Sequence, residues 1–133
     1  MKNTNLPKRP TEAELAILNI LWQRGPCTVR DVHDEMSTRG RIGYTTILKL
    51  LQIMHEKGIV LRDESERAHV YRPKRTQEQT RGQLVRDLVN RAFDGSASQL
   101  MMSLLGTGKV ASPAELASIR QMLDEVDDGG AQP

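Results

Sequence analysis

Cysteine is nearly absent from this chain: Cys27 is the only one among 133 residues. A single cysteine excludes an intrachain disulfide and any cysteine-cluster metal site. Aromatic residues are almost as scarce, limited to Trp22, Tyr44, Tyr71 and Phe93. The core must therefore be built from Leu, Ile, Val and Met, a composition that favours helices. No apolar run approaches the ~20 residues of a membrane span, and the opening MKNTNLPKRP lacks the apolar centre of a secretory signal. The expectation is a cytoplasmic protein with no membrane partner. A glycine-rich phosphate loop, a nucleophile elbow and a metal motif are all missing, which weighs against an enzyme. His33, His55 and His69 are far apart and share no ligand spacing, so neither a metal nor another cofactor is expected.

Nor is charge of one sign in large excess, since the net value is +2. The balance is uneven along the chain, however. Residues 1–75 carry 14 Lys/Arg against 9 Asp/Glu, and residues 76–133 carry 5 against 8. A basic front half fits a polyanionic partner and equally an ordinary soluble surface. The length suits one compact domain, or a domain of about 70 residues with an appendage that cannot stand alone.

What is present is a run of helix signals. Met1 to Pro10 is polar and proline-punctuated and reads as a flexible arm. Thr11 followed by Glu14 is a reciprocal helix start, with Leu15, Leu18, Ile20/Leu21 and Trp22 as the apolar face and Gly25-Pro26 as the stop. Thr28 with Asp31 caps a second helix carrying Val29, Val32 and Met36. After a turn at residues 38–43, a third helix is expected from Tyr44 to Lys57, closed by Gly58, with Ile47, Leu50, Leu51 and Met54 as its buried stripe. The period then changes. Residues 59–63 and 68–72 are short and rich in β-branched or aromatic residues, and the polar 64–67 joins them as a β-hairpin. Beyond Pro73, Thr76 with Gln79, Ser96 with Gln99 and Ser112 with Glu115 mark three more helix starts. Gly95, Gly106 to Gly108 and the Asp-Asp-Gly-Gly stretch are the expected stops.

Three short helices and a hairpin within about 65 residues is the order of a winged helix. The fold expected is mainly α with a small β-hairpin wing: a winged helix-turn-helix domain over residues 11–75, a helical dimerisation region over 76–127 and a disordered tail over 128–133. In such a fold two helices form a platform so that a third can lay its polar face in the major groove. Opposite the buried stripe of the third helix, Thr45, Lys49 and Gln52 face outward. Thr hydroxyls and a helix N-terminus can hold phosphate, Gln can read a base edge, and Lys releases counterions. An ordinary solvated helix face is the alternative. A winged-helix module that binds protein instead of DNA would call for an apolar surface here. On the hairpin, alternation places Arg67, His69 and Tyr71 on one face and sets Arg62 and Arg72 apart. Cys27, in the turn entering the second helix, reads as a small packing residue with a redox role as the alternative.

Read in order, Thr11-Glu-Ala-Glu-Leu15 through Leu21-Trp22, Gly25 to His33, Tyr44-Thr-Thr-Ile-Leu48, Leu51-Gln52, Glu56-Lys-Gly58 and Arg67-Ala-His-Val-Tyr71 resemble the penicillinase-repressor family of BlaI/MecI-type regulators. The resemblance extends over nearly the whole chain. It implies a homodimeric transcriptional repressor occupying a palindromic double-stranded DNA operator, with β-lactamase or other resistance genes as targets. By position it assigns DNA contacts to Tyr44, Thr45, Thr46 and Lys49, and places Thr28 and Arg30 near phosphate and Arg67 on the wing. Dimerisation is expected through the C-terminal helices, where Leu84, Leu88, Leu100, Leu104, Leu116, Ile119 and Leu123 present more apolar surface than three helices can bury among themselves. Folding back onto the winged domain is the alternative. The stretch Leu100 to Leu105 lacks the Asn-Phe pair at which antibiotic-responsive relatives are cut, so cleavage at that pair finds no support, and a sensor or protease partner of other specificity stays open as an alternative. The tail also lacks the paired cysteines of copper-responsive relatives.

Overall fold

The computed structural model describes residues 9–107 and 112–130. The flexible-arm expectation for residues 1–8 and the tail beyond Gly130 lie outside them. The chain divides into two compact units, one ending at Val85 and the other beginning at Arg86.

In the first unit α1 spans Glu12–Arg24, and both halves of the expected capping box are present. The Thr11 hydroxyl accepts from the Glu14 amide at 3.2 Å, while the Glu14 carboxylate accepts from the Thr11 amide at 2.9 Å. The same device opens α2, Val29–Ser37, through Thr28 and Asp31. Helix α3 covers Tyr44–Lys57 and ends on Gly58, whose φ of 80° is the left-handed conformation that only glycine adopts without a Cβ penalty. All three boundaries follow from hydrogen-bond needs met within four residues of chain.

The hairpin strands are β2, Val60–Asp63, and β3, Val70–Pro73. The second strand starts two residues later than alternation suggests, because residues 64–69 form an extended tip. That tip begins with an Asx turn in which the Ser65 amide donates to Asp63 at 2.9 Å. A strand not anticipated from sequence, β1, Cys27–Thr28, completes a three-stranded antiparallel sheet in the order β1-β3-β2. Two residues of extended chain before a capping box carry no periodicity to read. Pro73 is tolerated in the central strand because β1 reaches only Val70 and Tyr71, so no ladder bond is asked of its missing N–H.

The core is a single cluster in which Ile17, Leu18, Ile20 and Leu21 of α1 meet Val29 and Val32 of α2, Ile47, Leu51 and Met54 of α3, and Ile59, Val60, Tyr71 and Cys27 around the sheet. Ile17 joins the α1 stripe expected from sequence, whereas Leu15, Trp22, Met36 and Leu50 are only partly covered. Trp22 nevertheless ties α1 to the end of the hairpin, its indole donating to the Arg75 carbonyl at 3.0 Å. The first half of α4, Gln77–Ala92, belongs to this unit, with Thr80 buried.

The second unit holds the end of α4, α5 over Ala97–Thr107 and α6 over Pro113–Gly130. The caps read at Thr76, Ser96 and Ser112 all form: each hydroxyl accepts the amide three residues on, at 3.1 to 3.2 Å. Asp94 and Gly95, both at positive φ, turn the chain after α4. Gly106 does not stop α5, which continues to Thr107, and α6 runs through the two glycines to Gly130, past the helix end expected near residue 127.

Candidate nucleic-acid interface

The start of α2, one side of α3 and the hairpin surround an open cleft of about 420 Å³. It is lined by Thr28, Val29 and Arg30 from β1 and α2, by Tyr44, Leu48 and Gln52 from α3, and by Arg62, Arg67, Ala68, His69 and Tyr71 from the hairpin. Three arginines and a histidine are present, and no Asp or Glu. A concave, cation-lined surface without acidic residues concentrates field on an anion entering it.

Five of the residues singled out from sequence line this cleft together: Thr28, Arg30, Tyr44, Gln52 and Arg67. Arg30 and Arg67 are exposed, while Thr28 is half-buried because its hydroxyl caps α2. Thr45, Thr46 and Lys49 are also exposed but sit on the neighbouring stripe of α3, outside the cleft lining. Sequence periodicity groups Gln52 with Thr45 and Lys49; the structure sets it instead with Tyr44 and Leu48, which lie eight and four residues before it on the same side. Helix α3 thus presents a polar stripe outward and a mixed stripe, Tyr44, Leu48 and Gln52, toward the wing.

How α3 is positioned explains a histidine to which sequence reasoning assigned no role. His33 on α2 donates from Nε2 to the Ile42 carbonyl at 3.1 Å, which requires the proton on that nitrogen. Its ring also meets the Tyr44 ring edge-on, with centroids 5.8 Å apart. One side chain therefore holds both the turn before α3 and the first residue of α3. Gly43, the N-cap, supplies no side-chain acceptor, so the first amides of α3 are left without a capping side chain.

Arg62 and His69 are charged or titratable cleft residues that the sequence placed on the hairpin without assigning them a DNA contact. Alternation within each strand leaves the face of Arg62 open, and the register pairs it directly with Tyr71, which in turn lies opposite Cys27. Arg62 therefore follows Val60 on the core-facing side of β2 and extends past the end of the core into the cleft. Knowing the register would have found it, and the register depends on the tip, whose length the sequence left ambiguous.

Comparison with known proteins bears on what this surface belongs to. The sequence model of the penicillinase repressor family matches residues 10–125. The chain belongs to the penicillinase repressor family. Its relatives include proteins named transcriptional regulator BlaI from two strains of Mycobacterium tuberculosis, CDC 1551 / Oshkosh and ATCC 25618 / H37Rv. Each is 31% identical over 119 residues, covering 89% of this chain and 85% of the relative. A solved MarR family protein from Bacillus stearothermophilus aligns with 97% of this chain and 79% of its own at 19% identity and a TM-score of 0.47. Penicillinase repressor family members are transcriptional regulators and not enzymes. No helix among the described residues is long and apolar enough to cross a membrane.

The seven residues read as a dimer interface all lie on helices of this family member. Leu88, Leu104, Leu116, Ile119 and Leu123 are exposed, whereas Leu84 and Leu100 are half-buried. Met101, Met102, Leu105, Met122 and Val126 are exposed alongside them.

Proposed function

We propose that this chain is a sequence-specific double-stranded DNA-binding repressor that acts as a homodimer on a two-fold symmetric operator. The observation that carries the reading is the cleft: Arg30, Arg67 and Gln52 of α3 converge on one concavity whose described lining holds no Asp or Glu, and Thr45, Thr46 and Lys49 extend that surface outward. Lys49 and Gln52 reach toward base edges, with Tyr44 and the threonines on sugar and phosphate. Arg30, beside Thr28 at the start of α2, grips the backbone with Arg67 on the wing. A polar α3 face disfavours a protein-docking module, which would bury apolar surface there.

The dimer reading rests on the exposed leucines, isoleucine and methionines of α4 to α6, apolar surface of the kind that marks protein–protein contacts. Two copies would present two α3 helices to successive half-sites about one helical turn apart. Resistance genes, including β-lactamase genes, are the first candidates for the regulon, on relationship alone.

An electrophoretic mobility shift with the DNA upstream of the protein's own reading frame tests the reading. Wild type is expected to bind it in preference to random duplex, and Thr45→Ala with Lys49→Ala is expected to abolish that preference. Equal binding of both duplexes by wild type would overturn sequence-specific recognition.

A further inference from the structure

We infer that Arg62 is a phosphate-binding residue of the wing, held in the free protein by Glu64 and released to DNA by exchange of that carboxylate for a backbone phosphate. The inference rests on the DNA-binding reading above and adds a residue and a switching step to it.

The geometry carries the argument. Arg62 lines the cleft between wing and α3, with a side chain only 22% exposed. Its Nε and Nη2 both donate to one oxygen of Glu64, Oε2, at 2.7 and 2.6 Å. Glu64 approaches from the hairpin tip, is not part of the cleft lining, and is 52% exposed. The two partners are therefore unequal. Arg62 is placed by its strand, opposite Tyr71 in the register. The tyrosine hydroxyl and then the carboxylate favour its charged form and raise its pKa. Glu64 is a loop residue whose carboxylate regains full hydration when it swings away.

A guanidinium fork matches two oxygens of a phosphate, whereas here both prongs converge on a single carboxylate oxygen. A phosphate entering the cleft would meet Arg62 together with Arg30 and Arg67, while Glu64 offers one half-solvated charge, a kind of pair worth little in water. Giving up the Glu64 pair then costs little, and Glu64 acts as a weak built-in competitor that keeps Arg62 oriented until DNA arrives.

Affinity for random-sequence duplex at low salt and for the upstream duplex tests this on the full-length chain. Glu64→Gln is expected to tighten binding to both by about two- to fivefold, because the competitor loses its charge. Arg62→Gln is expected to weaken both by about tenfold and to reduce the slope of log affinity against log salt by about 0.9 per protomer. The pair Arg62→Gln with Glu64→Gln should bind like Arg62→Gln alone. Arg62→Lys should keep the wild-type salt slope and lose only part of the affinity, which separates charge from a folding defect. If wild type binds neither duplex, the DNA reading itself falls and this inference with it. If wild type binds while Glu64→Gln changes nothing, or its gain persists without Arg62, only the exchange is overturned.

Discussion

The Glu14 side chain holds two partners in the first unit through one buried carboxylate oxygen. It caps α1, it is 2% exposed, and its Oε1 receives Lys57 from the far end of α3 at 2.8 Å as well as the Thr11 amide. A buried carboxylate keeps its charge cheaply only while such partners hold it. Lys57→Met is therefore expected to destabilise the protein by about 1–3 kcal/mol, since Lys57 is itself 32% exposed and the loss falls short of that for a fully buried pair. Chemical denaturation followed by the fluorescence of Trp22, the only tryptophan, reads it out. An unchanged midpoint would mean that the ion pair contributes nothing. Cys27 makes a second residue-scale case. Burial pushes its thiol above the usual value, and Sγ donates to the Gly25 carbonyl at 3.3 Å. A thiol reagent should therefore label the native protein slowly and the denatured protein fast, because the thiolate is the reactive form. Rapid labelling of native protein would revive the redox alternative.

At the scale of elements, the capping boxes control acid sensitivity. The Thr28 backbone amide, followed by its hydroxyl, lowers the Asp31 pKa below the ordinary 3.8. Asp63 is lowered in the same direction by Ser65, and Glu115 by Ser112. A depressed folded-state value means that the stabilisation is fully present above the unfolded value and is lost as pH falls through the folded one. Thermal unfolding should thus lose stability below about pH 3.8, with Asp31→Asn showing a shallower acid limb than wild type. Superimposable acid profiles would refute the assignment. Gly58→Ala tests the end of α3. Nothing lies within 4 Å of an added Cβ, so its cost of about 1 kcal/mol comes from the left-handed backbone alone. These local devices are also where sequence reading was strongest. Thr11, Thr28 and Gly58 each act on partners within a few residues, so motif and structure are nearly the same information.

For the whole molecule, the decisive prediction concerns self-association. Ile119→Glu with Leu123→Glu should convert a dimer at micromolar concentration into a single-chain species in sedimentation equilibrium, and should weaken operator binding in parallel. Wild type sedimenting as one chain would remove the basis for a two-fold operator. Family membership was legible from six short stretches in order. The order of three helices and a hairpin was legible from periodicity.

The sequence by itself determined where helices begin, where the three helices of the first unit end, which of its apolar stripes turn inward, and that the third helix offers a polar face. Each of these depends on hydrogen bonds or side-chain spacing within about one or two helical turns. Tertiary structure alone decided that Cys27 and Thr28 add a strand, that Glu14 is buried against Lys57, that His33 holds the start of α3, and that Gln52 faces the wing. It also brought Arg62 and Arg67 into the same cleft as Arg30. In each of these the partners lie nine or more residues apart, or meet through a strand register set by the geometry of the hairpin tip. Such pairings become defined only when the core closes, and no local pattern encodes them.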